Sequence, residues 1–146
     1  MALSLSDPFV VDRHRDDLLT LVKDDVNILF GNEEEIFRLY QADDLATAIE
    51  RLRAAKVLAC MTRGAKGTVV FDGTETIAVE AFPVAKVVDT TGAGDLFAAG
   101  FLYGYTHGRD LLRCARIGSM AAAEVISHMG ARPGADLREM MQKHGL

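Results

Sequence analysis

The chain has 146 residues, 49% of them apolar and 25% charged, with a formal net charge of −5. That is enough for one ordinary domain with a real core and a soluble, globular composition. The acidic balance without a basic run excludes a nucleic-acid-binding surface, and no window approaches the ~18 apolar residues of a membrane helix.

The N-terminus lacks a basic segment followed by a long apolar one, so no signal peptide is expected. Residues 2–6 alternate like a short strand and stop at Asp7-Pro8. Residues 10–22 carry apolar side chains near helical spacing, with Asp16 and Asp17 on the polar side. Residues 26–30 read as a strand running into Gly31, and two helices follow, from Asn32 to about Tyr40 and over 45–55. Residues 57–61 are a buried-type strand, leading to the turn Arg63-Gly64-Ala65-Lys66-Gly67. Strands at 68–71 and 76–81 flank Asp72-Gly73, a hairpin signal. The remaining helices are predicted over about 94–106, 111–128 and 137–144. Alternation of strands and helices predicts a layered α/β sheet.

Several residues have plain structural readings. Cys60 and Cys114 sit in apolar surroundings without metal-type spacing and read as buried thiols, which points to a reducing, cytoplasmic compartment. His14, His107, His128 and His144 form no ligand motif. Arg109, Arg113 and Arg116 fall on one solvated helix face. Phe97, Phe101 and Tyr105 form the core stripe of their helix, and Gly100 with Gly104 marks a close helix–helix approach.

The most informative stretch is Val87-Val88-Asp89-Thr90-Thr91-Gly92-Ala93-Gly94-Asp95. A β-branched pair leads into a small-residue turn with an acid at each end, and the turn opens into an apolar helix. Backbone N–H groups at a helix start bind anions, and Gly92, Ala93 and Gly94 leave them uncovered. Asp95 beside them can accept a proton from a hydroxyl as its oxygen attacks a phosphate, so the constellation suits phosphoryl transfer. Asp89, read at the end of a strand, is either a turn-forming residue bonded to its own backbone or, with the Thr91 carbonyl, an oxygen ligand for a cation. Asn32 and Glu35 have the spacing of a capping box, and the same residues can stand near a magnesium ion; the two roles are compatible. The Thr62–Gly67 turn is not a Walker-type loop, and no G-x-G-x-x-G is present.

In this order the motifs resemble the ribokinase-like, or PfkB, family of sugar and nucleoside kinases. Four features carry the resemblance: Asn32-x-x-Glu35, Thr62-x-Gly64-x-x-Gly67, Asp89 through Asp95, and Gly130-Ala131-Arg132-Pro133. The third is the most specific. The resemblance implies a three-layer α/β/α fold, of which the chain corresponds to the C-terminal part, with the lid and N-terminal strands absent. It implies ATP as phosphate donor and a sugar or nucleoside as acceptor, with the look of bacterial adenosine or sugar kinases. Asp95 would be the catalytic base and Gly92, Ala93 and Gly94 the anion hole. Asn32 and Glu35 would stand at the magnesium–phosphate site, and Thr62, Gly64, Gly67 and Ser119 would line the nucleotide. Asp89 with the carbonyls of Thr91, His128 and Gly130 would be candidates for holding potassium. A small sheet whose first strand opens the chain also predicts an uncovered edge and self-association through it.

Overall fold

The three apolar runs that alternate with helices pair side by side. In the computed structural model, which describes residues 1–146, β1 (Ala2–Ser4), β2 (Ile28–Asn32) and β3 (Leu58–Thr62) are parallel, with Leu3 opposite Leu29 and Leu29 opposite Ala59. β4 (Thr68–Phe71) and β5 (Thr76–Val79) extend the sheet in the order β1-β2-β3-β4-β5. Residues 63–67 and 72–75 are too short to cross over the sheet, which takes roughly a dozen residues, so β4 and β5 run antiparallel to their predecessors. The sheet is mixed. The chain divides into two units, residues 1–63 with 69–78, and residues 64–68 with 79–146.

In the first unit, α1 (Pro8–Arg13), α2 (Arg15–Asp24), α3 (Glu33–Tyr40) and α4 (Leu45–Ala55) follow the strands. The period of two puts Leu29, Ala59, Met61, Val69 and Phe71 on one face, where they share a core with Val11, Val22, Ile36, Leu39, Ala48 and Leu52. Ile28, Phe30, Cys60 and Val70 alternate with them and are buried too, which is why β2 and β3 read as unbroken apolar runs. The single helix predicted over 10–22 is two helices that meet at His14. Asp7 and Pro8 start the first one: Asp7 Oδ1 accepts from the N–H of Phe9 (2.7 Å) and of Val10 (3.3 Å), and Pro8 occupies the first turn. β1 ends at Ser4, short of the predicted Ser6. Ser6 turns the chain with φ 65°, and the Asp7 N–H donates back to the Leu5 carbonyl at 2.8 Å. In the hairpin, Asp72 Oδ1 accepts from Thr74 N–H (2.8 Å) and Glu75 N–H (2.7 Å), so the loop spans four residues.

The second unit contains α5 (Ala93–Thr106), α6 (Leu111–Val125) and α7 (Leu137–Lys143). α5 and α6 approach through glycines. A Cβ on Gly118 would stand 2.7 Å from the Phe97 carbonyl oxygen, and one on Gly100 would stand 2.9 Å from the Ile117 carbonyl oxygen. Phe97 and Phe101 are buried as expected, but Tyr105 is 47% exposed. A repeat of four residues drifts about 40° per step around a helix, so the third member of the stripe turns off the core. α6 ends at Val125 rather than 128, where the Ser127 hydroxyl donates to the Glu124 carbonyl at 2.7 Å. Cys60 and Cys114 are buried, and Arg109, Arg113 and Arg116 are exposed. No helix is long and apolar enough to cross a membrane.

Candidate active site

In the second unit, Val87 and Val88 are not a strand; both are exposed, and the Val88 N–H makes one bond to the Ile126 carbonyl at 2.8 Å. Together with a longer bond from the Asp89 N–H to the same carbonyl (3.4 Å), this replaces the expected ladder, so Asp89 stands in an irregular segment instead of at a strand end. Its Oδ1 accepts from the Thr91 N–H (3.0 Å) and hydroxyl (2.7 Å), and its Oδ2 from the Gly130 N–H (3.0 Å). These bonds, the Thr91 hydroxyl foremost, lower the Asp89 pKa to about 2. The turn-forming reading of Asp89 is thus realised, with an added cross-link to Gly130 that no local pattern announces.

Gly92 is the N-cap of α5. Its φ of 81° lies in the left-handed region, and a Cβ there would stand 2.8 Å from the Ala131 Cβ. Both constraints demand glycine. No side chain caps the helix. Ala93 N–H donates to Thr90 and Leu96 N–H to Gly92, and the N–H groups of Gly94 and Asp95 belong to the first turn, which a helix cannot satisfy from within. A Cβ on Gly94 would meet nothing within 4 Å, and Asp95 is exposed in that turn. Uncapped N–H groups, an open approach and a carboxylate therefore share one helix end.

The structure brings Asp89, Thr91, Gly92 and Gly130 together. His128 lies near them, its Nε2 3.1 Å from Glu124 Oε1 and its Nδ1 3.2 Å from the Met129 carbonyl. Ser119 is on α6 and 9% exposed.

In the first unit, Asn32 caps α3 and Glu35 completes the box: Asn32 Oδ1 accepts from Glu35 N–H and Glu35 Oε2 from Asn32 N–H, both at 2.8 Å. Glu35 is 5% exposed, and burial raises its pKa against the lowering effect of the Asn32 bond. Asn32 pairs with Thr62 in register, so both stand at the C-terminal ends of parallel strands, the edge where α/β sheets bind ligands. Glu33 accepts from Arg63 Nε at 2.6 Å, a pair that sequence reasoning missed because 30 positions separate its members.

Beyond Thr62, Gly64–Lys66 form a 3-10 turn in the second unit. Gly67, at φ 83°, is fixed by crowding, since a Cβ would fall 2.0 Å from the Val79 carbonyl oxygen. Gly64 has φ 56° and open space around it. No group of three His, Cys, Asp or Glu side chains is placed to hold a metal, so cation binding would draw on amide and backbone oxygens as well.

A parallel-strand edge and an uncapped helix start define an α/β protein of the kind that binds ligands at such ends. Residues 1–138 match the pfkB family carbohydrate kinases, and the chain belongs to that family. Its fold is ribokinase-like. A probable sugar kinase from Rhizobium etli superposes with a TM-score of 0.96 at 45% identity, covering 99% of this chain and 44% of that one. The adenosine kinase from Sinorhizobium meliloti gives 0.95 at 43% identity, covering 98% and 44%. A cytidine kinase from Thermococcus kodakarensis is 40% identical over 119 residues, 80% of this chain and 42% of its own length. The chain thus spans less than half the length of these relatives.

Proposed function

We propose that this chain supplies the phosphate-handling part of an ATP-dependent transfer to a hydroxyl of a sugar or nucleoside, in the cytoplasm. The observation that carries the reading is the start of α5: a left-handed, side-chain-free N-cap at Gly92 beside an exposed Asp95. The relatives named as adenosine and cytidine kinases support the acceptor class.

In this reading the N–H groups of Gly92 and Gly94 neutralise charge on the transferred phosphoryl group, and that of Ala93 would join them by giving up its bond to the Thr90 carbonyl. The acceptor oxygen bonds to the γ-phosphorus as the bond to the β–γ bridging oxygen breaks, ADP leaves, and the hydroxyl proton passes to Asp95. Asn32 and Glu35 would stand near magnesium. Their inward lone pairs are engaged in the capping box, so they would reach the ion through remaining lone pairs or water. When bound, magnesium would neutralise phosphate charge. Asp89, ionised above a pKa of about 2, and the carbonyls of Thr91, His128 and Gly130 are an all-oxygen set that suits a hard cation such as potassium. Thr62, Gly64, Gly67 and Ser119 would line the nucleotide.

The test is transfer of labelled γ-phosphate from Mg-ATP, with potassium present, to adenosine, ribose and a small sugar panel. The expected result is transfer that Asp95→Asn lowers by about 10²- to 10⁴-fold with nucleotide binding retained. Equal transfer by the variant would remove Asp95 from the role of base. Nucleotide binding with no transfer would make the chain a nucleotide-binding module without turnover.

A further inference from the structure

We propose that Glu124 is a positioning residue for the phosphate turn, acting through the segment that links it to Asp89 and Gly92. The proposal rests on the reading that the turn binds phosphate. Glu124 lies in the last turn of α6, where the helix dipole disfavours an acid, and it is 9% exposed. A buried carboxylate needs several donors to remain there. One oxygen, Oε1, has them: it accepts from Gly134 N–H and Ala135 N–H, both at 2.9 Å, and lies 3.1 Å from His128 Nε2. Oε2 is buried without a hydrogen-bond partner.

These contacts come from the two ends of one loop, His128 on one side and Gly134 with Ala135 on the other. Glu124 closes the loop at its base. The tip between them carries Gly130, whose N–H donates to Asp89 Oδ2 at 3.0 Å, and Ala131, which abuts Gly92. The tip touches the turn at both the residue that bends it and the residue that caps α5. A helix that merely needed an ending would have it from Ser127. The three donors gathered on Glu124 therefore set where the tip stands, and the tip sets the turn.

The experiment is amide hydrogen exchange, resolved by nuclear magnetic resonance, on the full chain and on Glu124→Leu, Glu124→Gln, Asp89→Asn and the Glu124→Leu/Asp89→Asn double variant. Mg-ATP is titrated into each. Glu124→Leu is expected to speed exchange at Gly130 at least about tenfold, to shift the Thr91 and Gly94 resonances, and to weaken Mg-ATP binding. The double variant is expected to exchange at Gly130 no faster than Asp89→Asn alone, because both changes break the same link. Glu124→Gln keeps a carbonyl acceptor and is expected to restore Gly130 protection. Unchanged Gly130 exchange in Glu124→Leu, or additive effects in the double variant, would overturn the proposal. If Glu124→Leu does not fold, the unmodified chain decides: Gly130, Gly134 and Ala135 opening as one unit supports the link, and independent opening of Gly130 overturns it. Absence of Mg-ATP binding by the unmodified chain would sink the phosphate reading instead, and the exchange pattern would still decide the role of Glu124.

Discussion

A carboxylate that accepts three hydrogen bonds is stabilised as the anion, and Asp89 shows the consequence as a pKa of about 2 against an ordinary 3.8. A depressed folded-state pKa adds stability that is fully present above 3.8 and is lost as pH falls toward about 2. Chemical denaturation across that window is expected to show a slope that Asp89→Asn flattens, with little change near neutral pH in the slope itself. An equal acid slope in the variant would mean that other carboxylates carry it. At Gly92, an alanine would be strained at φ 81° and pressed against Ala131. Gly92→Ala is expected to lower stability by about 1–3 kcal/mol, read from denaturant midpoints, and to weaken anion binding. The sequence made Gly92 legible as an uncovered turn residue. It held no sign of Ala131, because 39 positions separate the two and only packing makes them neighbours.

Helix starts were the most legible elements, because their chemistry is local. Asn32 and Glu35 announce the start of α3, and the hydrogen bonds are those of the expected box. Asn32→Ala is expected to cost about 1 kcal/mol, measured as a lowered melting temperature. Asn32→Asp caps equally well, so it is expected to keep stability while altering Mg-ATP affinity if Asn32 also serves the phosphate site. Unaltered affinity would leave Asn32 with capping alone. Helix ends and breaks are less legible: the Asp7-Pro8 signal reads as the end of a strand, although it equally begins a helix. The approach of α5 to α6 is legible only as glycines at helical spacing. Gly118→Ala forces a Cβ to 2.7 Å from a backbone oxygen, which flexible side chains cannot relieve. A loss of about 1–3 kcal/mol in thermal or denaturant unfolding is expected, with α5 displaced.

At the scale of the whole molecule, β1 is a sheet edge of three residues whose outer backbone groups have no strand beside them. We propose that this edge pairs with a second copy, since unpaired strand edges recruit other chains. Light scattering over a range of concentrations is expected to show mass rising above 15.8 kDa, and a constant monomer mass would count against it. By itself the sequence determined the alternation of strands and helices, the caps, the hairpin and the small-residue turn. Each depends on dihedral preferences and on bonds between near neighbours. Only the tertiary structure decided the placement of the hairpin beside β3 at the end of the sheet, the irregular path at 87–88, the bracing of Asp89 and Gly92 by the 130–131 tip, and the closing of that loop on Glu124. Those features arise where segments distant in the chain compete for the same hydrogen bonds and the same space, and no local pattern records that competition.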